Sequence, residues 1–182
     1  MRGHADLLQQ LKLPNPKKRQ IAIVEIKKIV QQKLTQVNKQ STKELVDPLS
    51  ILLRHLLKDE SPEVYMESLN LLKFFVGSVS QHLSALDLHL MMGQFLTVIV
   101  AGQSTTNMRT RVASDKVIVY FAKHTSIGSL VVAKEVLKNI ERLNRSLTFV
   151  AAATQVTADD PEQAEKKTLL SRFYGILQML LQ

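Results

Sequence analysis

Apolar residues recur along the chain at helical spacing, in segments that short polar turns separate. Residues 57–72 show the pattern most clearly, because one apolar segment ends in the polar turn 58–60 and a second apolar segment follows. Ser61 is a suitable N-cap, since its hydroxyl can accept from an otherwise unpaired backbone N–H, and Pro62 suits the first helical position. Glu63 adds negative charge at the positive end of the helix dipole. This stretch therefore predicts a helical hairpin.

The same periodicity predicts helices along the whole chain. They span residues 5–13, 17–34, 45–57, 62–81, 86–101, 108–123, 127–156 and 161–181. Ser41 and Glu44 have capping-box spacing, which places the start of the third helix there and Pro48 in its first turns. Gly102 is expected to end the fifth helix, and Asn144 marks a candidate interruption of the seventh.

The polar turns recur at a nearly constant interval, which predicts a repeat architecture. An alignment on Pro16, Pro62 and Asn107 gives intervals of 46 and 45 residues. Small residues follow each turn by six positions, and apolar residues follow by ten and thirteen. The three sets are Ala22, Ser68 and Ala113; Ile26, Leu72 and Val117; and Ile29, Phe75 and Tyr120. Small residues allow close helix packing, so we predict one all-α domain over residues 1–182, a HEAT-like α-solenoid of about four helix pairs. The fourth turn, at Pro161, comes later than the interval predicts.

Composition agrees with a helical globular domain and excludes several classes of protein. Of the 182 residues, 45% are hydrophobic and 5% aromatic, with 6 Gly and 5 Pro. The absence of cysteine excludes disulfides and cysteine-containing zinc sites. The longest apolar run, residues 86–101, contains Asp87 and His89 and is too short to cross a bilayer. We expect a cytoplasmic protein without a membrane partner; the sequence leaves open whether it is complete or a fragment.

The charge of the chain predicts an acidic partner, whereas its motifs predict no catalytic site. A formal net charge of +8 favours nucleic acid, an anionic membrane or an acidic protein surface. The five histidines have no metal-binding spacing, and the chain has neither a Gly-rich phosphate loop nor a Gly-x-Ser-x-Gly motif. We therefore predict a binding module without cofactor or metal, and not an enzyme.

Two segments resemble the opening of the second helix of a HEAT repeat. Residues 59–64 read Asp-Glu-Ser-Pro-Glu-Val, which is similar to the Pro-Glu-Val-Arg type of opening, and residues 107–113 read Asn-Met-Arg-Thr-Arg-Val-Ala. More narrowly, the array resembles HEAT arrays of the TOG type, the tubulin-binding modules of microtubule regulators. The chain as a whole also resembles the TOG-like domain of a MAP kinase kinase kinase, although no single motif carries this resemblance.

The TOG resemblance implies that the turns inside the helical pairs line one edge of a paddle, and that this edge contacts αβ-tubulin. Carried over by position, the edge comprises Asn15, Lys17 and Lys18; Lys58, Asp59 and Glu60; and Thr106, Asn107, Arg109 and Arg111. Basic side chains there suit the acidic surface of tubulin. Two features depart from the family pattern: the chain has no Trp for the first turn, and it holds about four helix pairs where TOG arrays have six. We expect a monomer associated with the cytoskeleton.

Other interpretations of the same residues stay open. The domain could be a scaffold in signalling that binds a peptide or a partner helix on a helix face. It could also bind nucleic acid on a basic face, although the sequence has only 3 Tyr and 6 Phe and does not interleave aromatic and basic residues. Asp59 and Glu60 fit the role of turn and cap residues, and Arg109 and Arg111 could brace a neighbouring turn.

Overall fold

The computed structural model describes residues 4–35, 39–101, 107–153 and 161–180. Within these ranges the chain forms α-helices and no strands. The helices are α1 His4–Gln10, α2 Pro16–Thr35, α3 Lys39–Leu56, α4 Pro62–Val79, α5 Ala85–Ala101, α6 Met108–Lys123, α7 Gly128–Ala153 and α8 Pro161–Leu180. None of these helices combines the length and the apolar character that a membrane crossing requires.

The helices stack in two layers, which confirms the predicted helical-hairpin solenoid. Helices α2, α4, α6 and α8 pack one after another in one layer, and α3, α5 and α7 do so in the other. Each even-numbered helix also packs on the odd-numbered helix before it. The helix ends at which the hairpins turn therefore recur along one edge of the array, and the helix ends that lead to the next hairpin recur along the opposite edge.

A continuous apolar core lies between the two layers. It extends from Leu7 on α1 to Leu177 on α8, so every described helix contributes at least one side chain to it. The core contains Phe75, Phe95, Phe121 and Phe173, each at most 1% exposed, and Tyr65, which is 5% exposed. A core that is shared between successive hairpins holds a solenoid together, because each hairpin covers the apolar face of its neighbour.

Three side-chain caps set the period of the array. Asn15 Oδ1 accepts from the Lys17 N–H at 3.0 Å, Ser61 Oγ from the Val64 N–H at 3.5 Å, and Asn107 Oδ1 from the Arg109 N–H at 2.9 Å. The caps at 15, 61 and 107 are 46 residues apart in both intervals. Met108, the first residue of α6, thus corresponds to Pro16 and Pro62. The predicted alignment on Asn107 is one residue out of register.

The corrected register explains which residues are buried. Six positions after the first helical residue stand Ala22, Ser68 and Ser114, all at most 1% exposed. Thirteen positions after it stand Phe75 and Phe121, both fully buried, and Ile29, which is partly buried. Tyr120, which the sequence alignment placed in the core set, is 37% exposed. A slip of one residue turns a side chain by about 100° around the helix axis, which moves it from the core to the surface.

The start of α3 also differs from the prediction. The helix begins at Lys39, so Ser41 and Glu44 lie inside it and the capping-box pattern does not mark its N-terminus. Pro48 lies in the helix interior instead of the first turns. It leaves one backbone carbonyl without its usual intrahelical donor, which a helix tolerates when tertiary packing holds it.

The predicted interruption of α7 is wrong, because the helix runs without a break from Gly128 to Ala153. Val132, Val136 and Ile140 recur at helical spacing and are all buried, so packing continues along the helix. Asn144 is exposed and its polar side chain therefore leaves the core undisturbed. The predicted ends at Gly102, Val156 and Leu181 lie outside the described residues.

Candidate functional site

Arg19 joins the first turn of the candidate edge to the second. Its Nε and Nη2 each donate to one carboxylate oxygen of Asp59 at 2.9 Å. Its Nη1 donates to the carbonyls of Leu13 at 2.8 Å and Pro14 at 3.0 Å. Asp59 Oδ1 also accepts from the Ser61 N–H at 2.9 Å, so the same carboxylate shapes the second turn. The side chains of Arg19 and Asp59 are only 15% and 14% exposed. A planar, two-point pair of this kind fixes the relative position of two turns.

Sequence reasoning missed this role of Arg19, although the residue stands in the basic run after Pro16. In the corrected register Arg19 matches Tyr65 of the next hairpin, which also reaches the following one, since its hydroxyl lies 2.7 Å from Ser114 Oγ. Ser114 donates its only hydroxyl proton to the Thr110 carbonyl at 2.9 Å, so the Tyr65 O–H is the donor to Ser114. The position three residues into each of α2 and α4 therefore links neighbouring hairpins.

Charges alternate along the edge at the second residue of each helix. Lys17, Glu63 and Arg109 occupy this position in α2, α4 and α6, and all three side chains are exposed. The pKa of the Glu63 carboxyl lies below its usual range, chiefly because its own backbone N–H donates to it and then because the Ser61 hydroxyl does. The positive charge of Arg109 lowers this pKa further. Glu63 and Arg109 are both exposed, so water and salt screen this attraction and it is weak.

The structure divides the predicted site residues into exposed charged side chains and residues that serve local structure. The exposed charged side chains on the edge are Lys17, Lys18, Lys58, Glu60 and Arg109. The other described members serve local structure at least in part: Asn15 and Asn107 are caps, Asp59 is paired with Arg19, and Arg111 is half-buried. Thr106 lies outside the described residues. Four of these five charged side chains are basic, so the accessible part of the predicted site has a positive charge.

Basic and aromatic side chains pair between successive even-numbered helices, although they do not alternate in the sequence. Lys27 Nζ lies 5.6 Å from the centre of the Phe74 ring, and Lys73 Nζ lies 4.8 Å from the centre of the Tyr120 ring. Both lysines and both rings are 46 residues apart. Each pair joins one hairpin to the next by a cation–π contact, which adds a second repeating link between hairpins.

No cluster of His, Asp or Glu in the described ranges has the arrangement of a metal site. His55 and Asp59, which are four residues apart and could have formed a hydrogen-bonded pair, do not act together, because Asp59 is paired with Arg19. What the edge can do chemically is to present fixed positive charge and hydrogen-bonding groups at regular spacing.

Comparison with solved structures finds TOG domains. The chain superposes on the TOG domain of human Cep104 with a TM-score of 0.68 at 19% identity, over 94% of this chain and 62% of that one. A further structure of the CEP104 TOG domain gives a TM-score of 0.64 at 17% identity, over 95% of this chain and 78% of that one. No protein-family model and no curated sequence matches the chain. Identities this low show a TOG-like fold and no more.

Proposed function

We propose that this chain is a non-catalytic binding module that binds αβ-tubulin through the turns inside its helical hairpins. The observation that carries the proposal is the edge itself. The caps Asn15, Ser61 and Asn107 repeat at an interval of 46 residues, and the Arg19–Asp59 pair and the Tyr65–Ser114 hydrogen bond connect the hairpins that carry them. A row of turns held in this way is a preformed surface, and the TOG-like fold supports its assignment to tubulin.

The mechanism is rigid presentation of positive charge. Lys17, Lys18, Lys58 and Arg109 are exposed on the edge and would attract an acidic surface of the partner and orient it. The Arg19–Asp59 pair keeps the first two turns at a fixed distance, so little rearrangement is needed on binding. The first turn offers Pro14, Asn15 and Pro16 where TOG arrays usually offer an aromatic residue. Binding would therefore depend mainly on charge and weaken as salt increases.

Size-exclusion chromatography with purified αβ-tubulin tests the proposal. We expect co-elution at low salt, with a complex that Lys17→Ala/Lys18→Ala and Arg109→Ala each weaken. The matched control is Lys123→Ala/Lys134→Ala, which also removes two exposed charges but does so at the end of α6 and the beginning of α7, on the opposite edge. Far-UV circular dichroism checks that every variant keeps its helical content.

Two outcomes contradict the proposal. One is the absence of a complex at tens of micromolar tubulin in low salt. The other is equal weakening by the control variant, which would show attraction by net charge without a defined edge. The monomeric state, the cytoplasmic and cytoskeletal location and the likeness to the TOG-like domain of a MAP kinase kinase kinase stay predictions from the sequence.

A further inference from the structure

A groove runs between α3 and α5, in the layer opposite the even-numbered helices. Its larger part has a volume of about 550 Å³ and lies between Asp47 and Arg54 of α3 and Asp87 and Gln94 of α5. A second depression continues it past Arg54 as far as Lys58 and Val98. From Asp47 to Lys58 the groove is about 16 Å long at the rise of an α-helix, which matches three turns of a helical peptide.

Two polar atoms in the wall of this groove have no partner. Ser50 Oγ and Arg54 Nε are shielded from solvent and make no hydrogen bond, and among the described residues no other buried side-chain atom is in this state. Ser50 is 9% exposed. Three other helical serines, Ser68, Ser78 and Ser114, each donate to the carbonyl one turn earlier. An acceptor from outside the chain reaches these two donors only after the side chains that cover them rotate, a change that interfaces commonly allow and that a buried donor without a partner favours.

Apolar side chains stand beside these donors. Ile51 on α3 is 60% exposed and Leu90 on α5 is 61% exposed, and both line the groove. Helix-in-groove complexes combine these features, because apolar anchors supply affinity and a few polar contacts fix the position of the ligand.

The charges along the groove select the ligand. Asp47 and Asp87 lie near its beginning, whereas Arg54, His55 and Lys58 lie toward its end. The two unpaired donors include the Nε of Arg54, so an acceptor with negative charge satisfies both the hydrogen-bonding and the electrostatic demand. A carboxylate of the ligand fits at the end near Arg54, and a positively charged group fits at the beginning.

We propose that the groove between α3 and α5 binds an amphipathic helical segment of another protein. That segment places apolar side chains against Ile51 and Leu90. Rotation of the covering side chains on binding brings an Asp or Glu carboxylate of the segment within hydrogen-bonding distance of Arg54 Nε and Ser50 Oγ. The site lies mainly on the odd-numbered helices and shares only Lys58 with the edge that we assign to tubulin.

Peptide display tests this proposal without a known partner. The probe is a library of random peptides of about 16 residues, long enough to span the groove as a helix. We expect enrichment of sequences with apolar residues at i, i+3 or i+4, and i+7 and an acidic residue beside them. Fluorescence polarisation then measures the affinity of the enriched peptides. Arg54→Met should lower it by about tenfold or more, the effect of losing one charge-assisted hydrogen bond.

Matched variants separate the groove from the rest of the surface. Leu90→Asp should abolish binding, whereas Leu130→Asp, at an 81% exposed position on α7, should not change it. Arg142→Met, at an exposed position on α7, controls for net charge. Arg54→Met and Ser50→Ala should weaken peptide binding without lowering the melting temperature, which a merely structural role of these residues would not allow.

Several results would overturn the proposal. In the first, no enriched peptide binds with a Kd below about 1 mM. In the second, the enriched peptides share no acidic residue. In the third, Leu90→Asp and Arg54→Met leave the affinity unchanged. A concentration-dependent dimer that Leu90→Asp dissolves would show instead that a second copy of the chain covers the groove. Failure of tubulin to co-elute has no bearing on this proposal, because none of the variants used here changes the tubulin-binding edge.

Discussion

Replacement of Arg19 by methionine should destabilise the protein and loosen its first hairpin. Methionine keeps much of the apolar length of the side chain but removes four hydrogen bonds, two to the Asp59 carboxylate and two to the carbonyls of Leu13 and Pro14. Asp59 keeps only the Ser61 N–H among these contacts and stays largely shielded, at 14% exposure. The variant thus leaves a carboxylate in a poorly solvated place with its main partner gone.

The magnitude follows from how deeply the pair lies. A solvent-exposed ion pair contributes about 0.2–1 kcal/mol, whereas removing one partner of a buried pair costs about 3–5 kcal/mol. Exposures of 15% and 14% place this pair nearer to the buried limit, although water that reaches Asp59 reduces the effect. The two lost carbonyl bonds add about 1 kcal/mol together, because the Pro14 carbonyl lies in an exposed turn and can bind water instead. We expect a decrease of about 3 kcal/mol in the free energy of unfolding.

Urea denaturation followed by far-UV circular dichroism measures this change. The control is Lys18→Met, an adjacent exposed position that should change stability by less than about 0.5 kcal/mol. A double-mutant cycle with Asp59→Asn, which keeps the acceptor for the Ser61 N–H, isolates the pair and should give a coupling energy of at least about 1.5 kcal/mol. Hydrogen exchange should accelerate in α1 and early α2, while α5 to α7 stay protected. A loss below about 1 kcal/mol with no coupling would refute the assigned role of Arg19.

Three smaller effects should also be measurable. Tyr65→Phe should cost about 1 kcal/mol in thermal unfolding, since it removes a buried hydrogen bond. Burial raises the pKa of the Tyr65 hydroxyl in the folded protein. The stability that the neutral hydroxyl contributes is therefore complete below about pH 10, the unfolded pKa, and is lost as the pH rises through the folded-state pKa. The free energy of unfolding of Tyr65→Phe should accordingly fall less steeply at alkaline pH. Hydrogen bonds from its own backbone N–H and from the Ser61 hydroxyl lower the pKa of Glu63. The carboxylate therefore stabilises the fold above about pH 4.3, and this contribution is lost as the pH falls through the folded-state pKa. The free energy of unfolding of Glu63→Gln should fall less steeply at acid pH, and an unchanged pH profile would contradict this cause. Ser50→Ala should raise stability by about 0.5 kcal/mol, because it removes an unpaired buried hydroxyl and introduces the best helix former; a loss would mean that the hydroxyl has a partner.

Local patterns predicted the helices well where a cap and an apolar stripe agree. Residues 108–123 were predicted with both ends correct, because Asn107 caps the helix and a polar break follows Lys123. The start of α3 was wrong because Ser41 and Glu44 satisfy the capping-box spacing locally, while the helix continues to Lys39. A sequence pattern indicates which residues are able to cap a helix, but the residue at which the helix begins is known only from the backbone conformation.

The register of the repeat and the Arg19–Asp59 pair could not be read from the sequence, for two different reasons. Ala113 and Tyr120 are as compatible with a core as Ser114 and Phe121, so the composition of α6 allows both registers and the hydrogen bond to Asn107 decides between them. Arg19 and Asp59 are 40 residues apart, and nothing local distinguishes this arginine from Lys17 and Lys18 beside it. Contacts between repeats depend on how the hairpins stack, which is a tertiary property.

Lys58 is the one residue that belongs to both proposed surfaces. It lies in the second turn of the edge, and it also lines the end of the groove near Arg54 and His55. A carboxylate bound at that end would neutralise a charge that the tubulin-binding edge would use, so the two ligands should oppose each other. By linkage, a peptide in the groove would weaken tubulin binding by the same factor by which tubulin weakens the peptide. The effect should be modest, because Lys58 is exposed and three other basic residues serve the edge. Lys58→Ala should therefore remove the antagonism between peptide and tubulin, while Arg54 and Leu90 still bind the peptide. If the antagonism survives this change, the two surfaces are coupled through the helices themselves.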